Sequence, residues 1–396
     1  MSFLHPHLLP TTVIGSHGLP GWFWTAMEAV RRGEYGPTDE QEAYDDAVRL
    51  AIWDQREAGI DTITDGEMRR WYFVQSFYSR MKGLSQRPML RKTGVYGYDS
   101  VPRYWLEGKV DVPEGLGIVE EFRFLRANVG AVEGRSAEGG ERRAERGERR
   151  AESRKPDTTH DSGLSTQHSS SPPPSTLPPP RPRIKACCPG PLTLTIHIQL
   201  RAGDPYKDRM ELAQEFAGVV NRELRALEAE GCDEVQIDEP SFSIIPGQVK
   251  NWVDLFNRAV EGVQIRKTLH ICFGNLGSRP RGRRRYEWMF PALLNANAGA
   301  LSMEFANREM CEADIYPRFE GKFDLLAGVV DVKSFWLEPP EEVADRIRTL
   351  LQTCPAERLA VSPDCGFFQL PRWLCRQKLV NLVRGAALVR RELGQP

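Results

Sequence analysis

The feature that most constrains this chain is a repeated alternation. Short β-type runs, closing on polar or thiol-bearing residues, alternate with longer segments whose apolar residues fall at three- and four-residue spacings. The runs are Thr11–Gly15, Asp61–Thr64, Ile184–Cys188, Glu234–Ile237, Lys267–Ile271, Ala300–Met303, Leu326–Val330 and Leu359–Val361. Between them lie helical patterns such as Tyr44–Ala58, Met210–Glu230, Pro340–Thr353 and Trp373–Glu392. Strand followed by amphipathic helix, repeated, builds parallel βα units. Eight repeats predict an α/β fold of the closed (β/α)8 TIM-barrel type.

Two segments interrupt the repeat before the third run. Residues Gly94 to Arg126 carry alternating stretches at Arg103–Val112 and Ile118–Arg126, which predict an inserted hairpin. From Val132 to Arg183 the chain is a Glu/Arg repeat followed by Ser/Pro tracts, almost without core-forming residues. Such a stretch buries too little apolar surface to offset its ordering entropy, so it is expected to be a disordered insertion. Its glutamates and arginines could also form a solvated helix. The expected organisation is a first barrel part over 1–131 with the hairpin, the insertion over 132–183, and the remainder of the barrel over 184–396, where the metal site is expected.

Lysine and arginine number 53 against 54 aspartates and glutamates, so no global basic field exists to attract nucleic acid or an anionic membrane. No apolar run reaches the roughly 18 to 20 residues needed to span a bilayer, and the first residues lack the pattern of a signal peptide. The chain is therefore expected in the cytoplasm, acting on a small molecule. Eight cysteines in 396 residues are too sparse for a disulfide framework, which leaves free thiols for metal or catalysis.

Polar residues gather where each strand should end: Ser16, Asp65 and Glu67, Asp238 and Glu239, His270 and Cys272, Glu304, Asp331, then Asp364 and Cys365. In a TIM barrel the C-terminal strand ends build the active site. His270 and Cys272, two apart, share a strand face and can hold one ion, although a core histidine beside a buried cysteine reads the same locally. With Glu304 and Cys365 they form a donor set of N, S and O atoms suited to tetrahedral zinc. Cys187, Cys188, Cys232, Cys311, Cys354 and Cys375 read as core-packing or helix-associated residues. Asp238 could instead cap a helix, and Glu67 could pair with Arg69 or Arg70. If both carboxylates face the barrel mouth, they form an anionic pocket suited to an ammonium group.

The motifs TTVIGS, TDGEMRR, KACCPGP, VQIDEP, HICFGN, LSMEFA, GVVDVKS and SPDCGF occur in this order. As a set, from Thr11 to the C-terminus, they resemble the C-terminal catalytic barrel of cobalamin-independent methionine synthase and its single-barrel relatives. The resemblance implies zinc held by His270, Cys272, Glu304 and Cys365, and the amino-acid part of homocysteine held by Ser16, Glu67 and Asp238. The larger relatives' N-terminal barrel is expected to be absent. Where those relatives stack the folate ring on a tryptophan, this chain has His197 at the matching loop position. Where they carry Asp-x-His for protonating the leaving group, it has Asp331-Val332-Lys333.

These readings predict a zinc-dependent S-methyltransferase that makes methionine from homocysteine. Its donor would be methyltetrahydrofolate or, in preference, a methyl-corrinoid, free or carried by a corrinoid protein. His197 would meet that donor, and Asp331 and Lys333 would serve catalysis. The other classes considered are an alkyl transferase acting on another thiol such as coenzyme M, a zinc lyase or hydrolase using metal-bound water, and a non-catalytic zinc-binding interaction protein.

Overall fold

The computed structural model describes residues 5–70, 73–87, 102–130, 182–275, 284–368 and 370–395. The eight expected runs form a closed parallel ring. Thr12 bridges Thr62, and Thr62–Ile63 pairs with Arg183–Ile184. Lys185 N donates to Ile63 O, and the chain continues as Ala186–Pro189 alongside Glu234–Asp238. Arg266–Ile271, Ala300–Glu304, Asp324–Val330 and Leu359–Pro363 follow in register. Val361 then bridges Thr11, which closes the ring. The strands Glu234–Asp238, Ala300–Glu304, Asp324–Val330 and Leu359–Pro363 are buried along their whole length, as parallel strands enclosed by helices must be.

Helix boundaries follow local chemistry. The helix Pro37–Ala58 starts seven residues before the periodic stretch because Pro37 occupies the first turn and Asp39 Oδ2 accepts from Gly36 N. It stops at Gly59, whose φ of 83° is left-handed. Arg209–Ala229 begins where Asp208 accepts from Glu211 N, and Pro340–Leu351 begins on a proline. Arg372–Glu392 is the last helix.

The hairpin needs a correction. Arg103–Asp111 pairs antiparallel with Lys82–Arg87, not with the segment after it. Residues 118–130 form a helix. Its buried residues Ile118, Phe122, Leu125 and Val129 recur at three- and four-residue steps, so the helical period outweighs the local Arg-Phe alternation that read as a strand. Arg103–Asp111 also pairs in parallel with Ile198–Gln199, which sets a small sheet beside the barrel mouth. Of the insertion expected over 132–183, residues 132–181 lie outside the described residues, and Arg183 already belongs to a barrel strand. Among the described residues no helix is long and apolar enough to cross a membrane.

Candidate active site

A cavity of about 570 Å³ opens at the C-terminal ends of the strands. Ser16, Glu67, Asp238, His197, His270, Cys272 and Cys365 line it, together with Arg70, Phe73, Asn275 and Phe368. Each expected substrate residue therefore meets three of the four expected metal ligands in one space.

His270 is the penultimate residue of the strand Arg266–Ile271 and Cys272 follows that strand, while Cys365 sits just past Leu359–Pro363. Their donor atoms lie within 4.8 Å of one another, and the two sulfurs are 3.7 Å apart. Two sulfurs on one tetrahedral zinc, at Zn–S of about 2.3 Å, stand about 3.8 Å apart, so the pair fits one ion. His270 Nδ1 donates to Asp238 Oδ1 over 2.7 Å, and Nε2 is buried without a hydrogen-bond partner. A carboxylate on one ring nitrogen fixes the tautomer that presents the other to a metal. Burial alone would weaken the imidazole's basicity, but Asp238 and the facing Cys365 raise it to about 10. The neighbouring Cys272 sulfur, then burial, pushes the Cys365 thiol well up. Donors that hold protons this firmly would have to release them on binding a metal, so higher pH would favour metal uptake at such a site.

Glu304 ends its strand outside the 4.8 Å group. Its Oε2 accepts from Lys333 Nζ over 2.7 Å, whereas Oε1 is buried without a partner. That orphaned oxygen is the candidate for a fourth donor. Lys333 and Asp331 are not among the cavity-lining residues. Asp331 Oδ1 accepts from Lys333 N, and Asp331 N donates to Glu338 Oε1. The Asp-Val-Lys segment thus reaches Glu304 through the Lys333 side chain.

The carboxylates divide their roles. Asp238 Oδ1 also accepts from Gln236 Nε2, while Oδ2 is buried and unpartnered. Glu67 Oε1 accepts from Arg70 Nη1 over 2.9 Å, so of the two arginines considered Arg70 is its partner; Arg69 pairs with Asp45. Arg70 is shared further with Glu121 and with Cys187 O. Burial, with Asp238 acting in the same direction against Arg70, raises the Glu67 pKa. A pocket that opposes a second negative charge favours a cationic guest. The approach of Glu67 depends on Gly15, where a β-carbon would lie 2.5 Å from Glu67 Oε1. Glu239 turns away from the mouth to accept from Leu192 N and from Thr193 N and Oγ1. His197 stands at the junction with the small sheet, its carbonyl accepting from Tyr104 N.

Sequence reasoning missed the Asp238–His270 and Lys333–Glu304 pairs. The first follows from register, since Asp238 lies opposite His270 on the adjacent strand. No spacing within either segment reports that alignment.

Comparison with known proteins places these observations in a family context. Residues 9–103 and 170–388 match the family model described as cobalamin-independent synthase, catalytic domain. The chain is 28% identical over 386 residues to a methionine synthase of Sulfurisphaera tokodaii, covering 98% of this chain and 94% of that protein. It is 29% identical over 388 residues to one of Thermococcus kodakarensis, covering 98% and 95%. Among solved structures, a B12-independent methionine synthase from Shewanella sp. W3-18-1 in complex with selenomethionine aligns with a TM-score of 0.71 at 28% identity, covering 98% of this chain and 99% of that one. A Listeria monocytogenes structure described as a putative vitamin-B12 independent methionine synthase aligns at 0.60 with 20% identity, covering 95% and 96%, a likeness of fold.

Proposed function

This chain belongs to the family of cobalamin-independent synthase catalytic domains, and on that premise we propose that it is a zinc-dependent S-methyltransferase converting homocysteine to methionine. Homocysteine methylation is the activity its family implies. The observation that carries the zinc reading is the convergence of His270, Cys272 and Cys365 within 4.8 Å on a cavity also lined by Ser16, Glu67 and Asp238. The Shewanella relative's complex with selenomethionine, an analogue of the methionine product, supports an amino-acid site of this kind.

His270 Nε2, Cys272 Sγ and Cys365 Sγ would hold the zinc, with Glu304 Oε1 as the fourth donor. Bound zinc supplies acidification of a coordinated thiol, whose ordinary pKa of about 8.5 keeps it mostly protonated at neutral pH. Asp238 Oδ2 and Glu67 receive the substrate ammonium by charge-assisted hydrogen bonds, and Ser16 lines the same wall. Asp238 also holds the His270 ring through Nδ1, so one residue couples substrate position to ligand orientation. Phe73 and Phe368 add apolar surface to the cavity and help exclude water from the reacting sulfur. Lys333 and Asp331 position Glu304.

Coenzyme M carries a sulfonate and no ammonium, so paired carboxylates favour homocysteine as the acceptor. Thiolate-rich zinc is a poor Lewis acid for activating water, and a cavity open above the donors supports turnover rather than a purely structural metal. For the donor we propose a methyl-corrinoid over methyltetrahydrofolate, because an imidazole at His197 offers a flat folate ring less stacking area than an indole. The relatives' designation as B12-independent stands on the side of the folate. Purified protein with zinc and homocysteine, given methyltetrahydrofolate or methylcobalamin in parallel, tests both parts. Methionine from neither donor would remove the methyltransferase reading, and saturable turnover with the folate alone would reverse the donor assignment.

A further inference from the structure

The end of the barrel opposite the cavity carries a second convergence of metal-binding side chains. Asp61 immediately precedes the strand Thr62–Ile63, and the segment before Thr11 brings two imidazoles to it. His7 Nε2 lies 3.0 Å and His5 Nε2 3.8 Å from the same atom, Asp61 Oδ1. The rings meet edge to face with centroids 4.1 Å apart, and the three donor atoms lie within 4.8 Å of one another.

The surrounding hydrogen bonds orient these donors. Asp61 Oδ2 accepts from Thr11 N at 2.7 Å, Thr11 Oγ1 at 2.8 Å and Arg390 Nη2 at 3.0 Å, which leaves Oδ1 to the two imidazoles. His7 Nδ1 lies 3.0 Å from Leu8 O, a contact it makes as a donor. A proton fixed on Nδ1 turns the Nε2 lone pair of the neutral ring toward the carboxylate oxygen. Outer-sphere contacts of this kind, a carbonyl on the imidazole and donors on the spare carboxylate oxygen, are what orient metal ligands. Two lone-pair donors facing each other at 3.0 Å need a cation or a proton between them.

We propose that His5, His7 and Asp61 form a second site for a divalent transition-metal ion, with two nitrogen donors and one oxygen donor. Zinc, nickel and cobalt suit that set. The ion would staple three parts of the chain: the segment before the first strand, the start of the second strand, and, through Arg390 and Asp61, the last helix. The same segment is already tied there, since Leu8 N donates to Gln395 Oε1 while Arg390 donates to Leu8 O and Leu9 O. The bound ion would therefore raise the thermal stability of barrel closure without touching the cavity.

The test is a Co2+ titration of full-length protein carrying no histidine tag, followed by equilibrium dialysis and absorption spectroscopy. Cobalt at His270, Cys272 and Cys365 gives intense thiolate-to-metal charge transfer in the near ultraviolet, while cobalt at His5, His7 and Asp61 gives weak d–d bands alone. The expected result is two ions per chain, falling to one in the double variant His5→Ala/His7→Ala with its charge-transfer band intact. The second equivalent should raise the melting temperature of the parent and leave that of the variant unchanged. One ion per chain in the parent with the charge-transfer band intact, or two still bound by the variant, would overturn the proposal; the first result would leave only the His7–Asp61 contact in its place. Failure of the catalytic zinc reading is a different outcome, loss of the charge-transfer band with the weak bands retained.

Discussion

Lys333 Nζ lies 2.7 Å from Glu304 Oε2, an ion pair between two buried side chains at the ends of adjacent strands. It leaves Glu304 with one oxygen neutralised by an ammonium and one buried oxygen, Oε1, without a partner. A carboxylate already committed to a cation is a weaker metal ligand than a free one. On the proposed metal site, Lys333 would therefore set how firmly Glu304 binds as the fourth donor, and how readily a substrate thiol replaces it.

Replacing Lys333 by methionine keeps the apolar stem and removes the charge. Glu304 should then bind metal more firmly, raising zinc affinity about tenfold, or about 1.4 kcal/mol, in chelator competition. Methyl transfer to homocysteine should fall at the same time. Unchanged affinity would take Glu304 out of the donor set.

Cys272→Ser and Cys365→Ser should each weaken thiolate-to-cobalt charge transfer from the paired-sulfur site and lower its zinc occupancy on elemental analysis. Each variant keeps only one of two sulfurs that stand 3.7 Å apart. Retention of full occupancy and of undiminished band intensity in both variants would move the metal elsewhere.

Glu67→Gln and Asp238→Asn should separate. Both remove a carboxylate from the ammonium pocket and should weaken homocysteine binding by about ten- to a hundredfold, the worth of roughly 1.5 to 3 kcal/mol for a hydrogen bond to a charged group. Only Asp238 also touches His270 Nδ1, so only Asp238→Asn should lower metal affinity, by about ten- to a hundredfold. Calorimetry with homocysteine and chelator competition read the two effects independently.

Asp54 gives a stability prediction. It is fully buried, accepts from Arg372 Nε and Nη2 at 2.6 Å each, and contacts His17 Nε2 at 3.0 Å, tying Pro37–Ala58 to Arg372–Glu392. Burial alone would raise its pKa, but His17 and Arg372 outweigh that and hold it below 3.8. A depressed folded-state pKa contributes stability that is present above the unfolded value and lost as pH falls through the folded one. Asp54→Asn should cost about 2 to 3 kcal/mol at pH 7, below the full value for a buried pair because Arg372 is partly exposed. Melting curves should show that gap narrowing as the pH drops below about 4. A gap constant from pH 7 to 3 would assign the loss to packing.

Much of the architecture was legible in the chain. The eight runs, the helix Arg372–Glu392 and the clustering of polar residues at strand ends follow from period-two and period-3.6 patterns, which are local properties. The segment 118–130 was not legible in this way, because Arg-Phe alternation and a helical stripe share several positions. The donors His270, Cys272 and Cys365 were identifiable as residue types at strand ends, and the structure brings them together.

Sequence by itself determined the βα alternation, the strand ends that carry chemistry and the residue types available there, because each depends on neighbours a few positions away. Tertiary structure alone decided the partners: Asp238 on His270, Lys333 on Glu304, and His5 and His7 on Asp61. These pairs join residues on different strands, loops and turns. Their contacts are fixed by strand register, ring closure and loop path, which emerge only when the whole barrel packs.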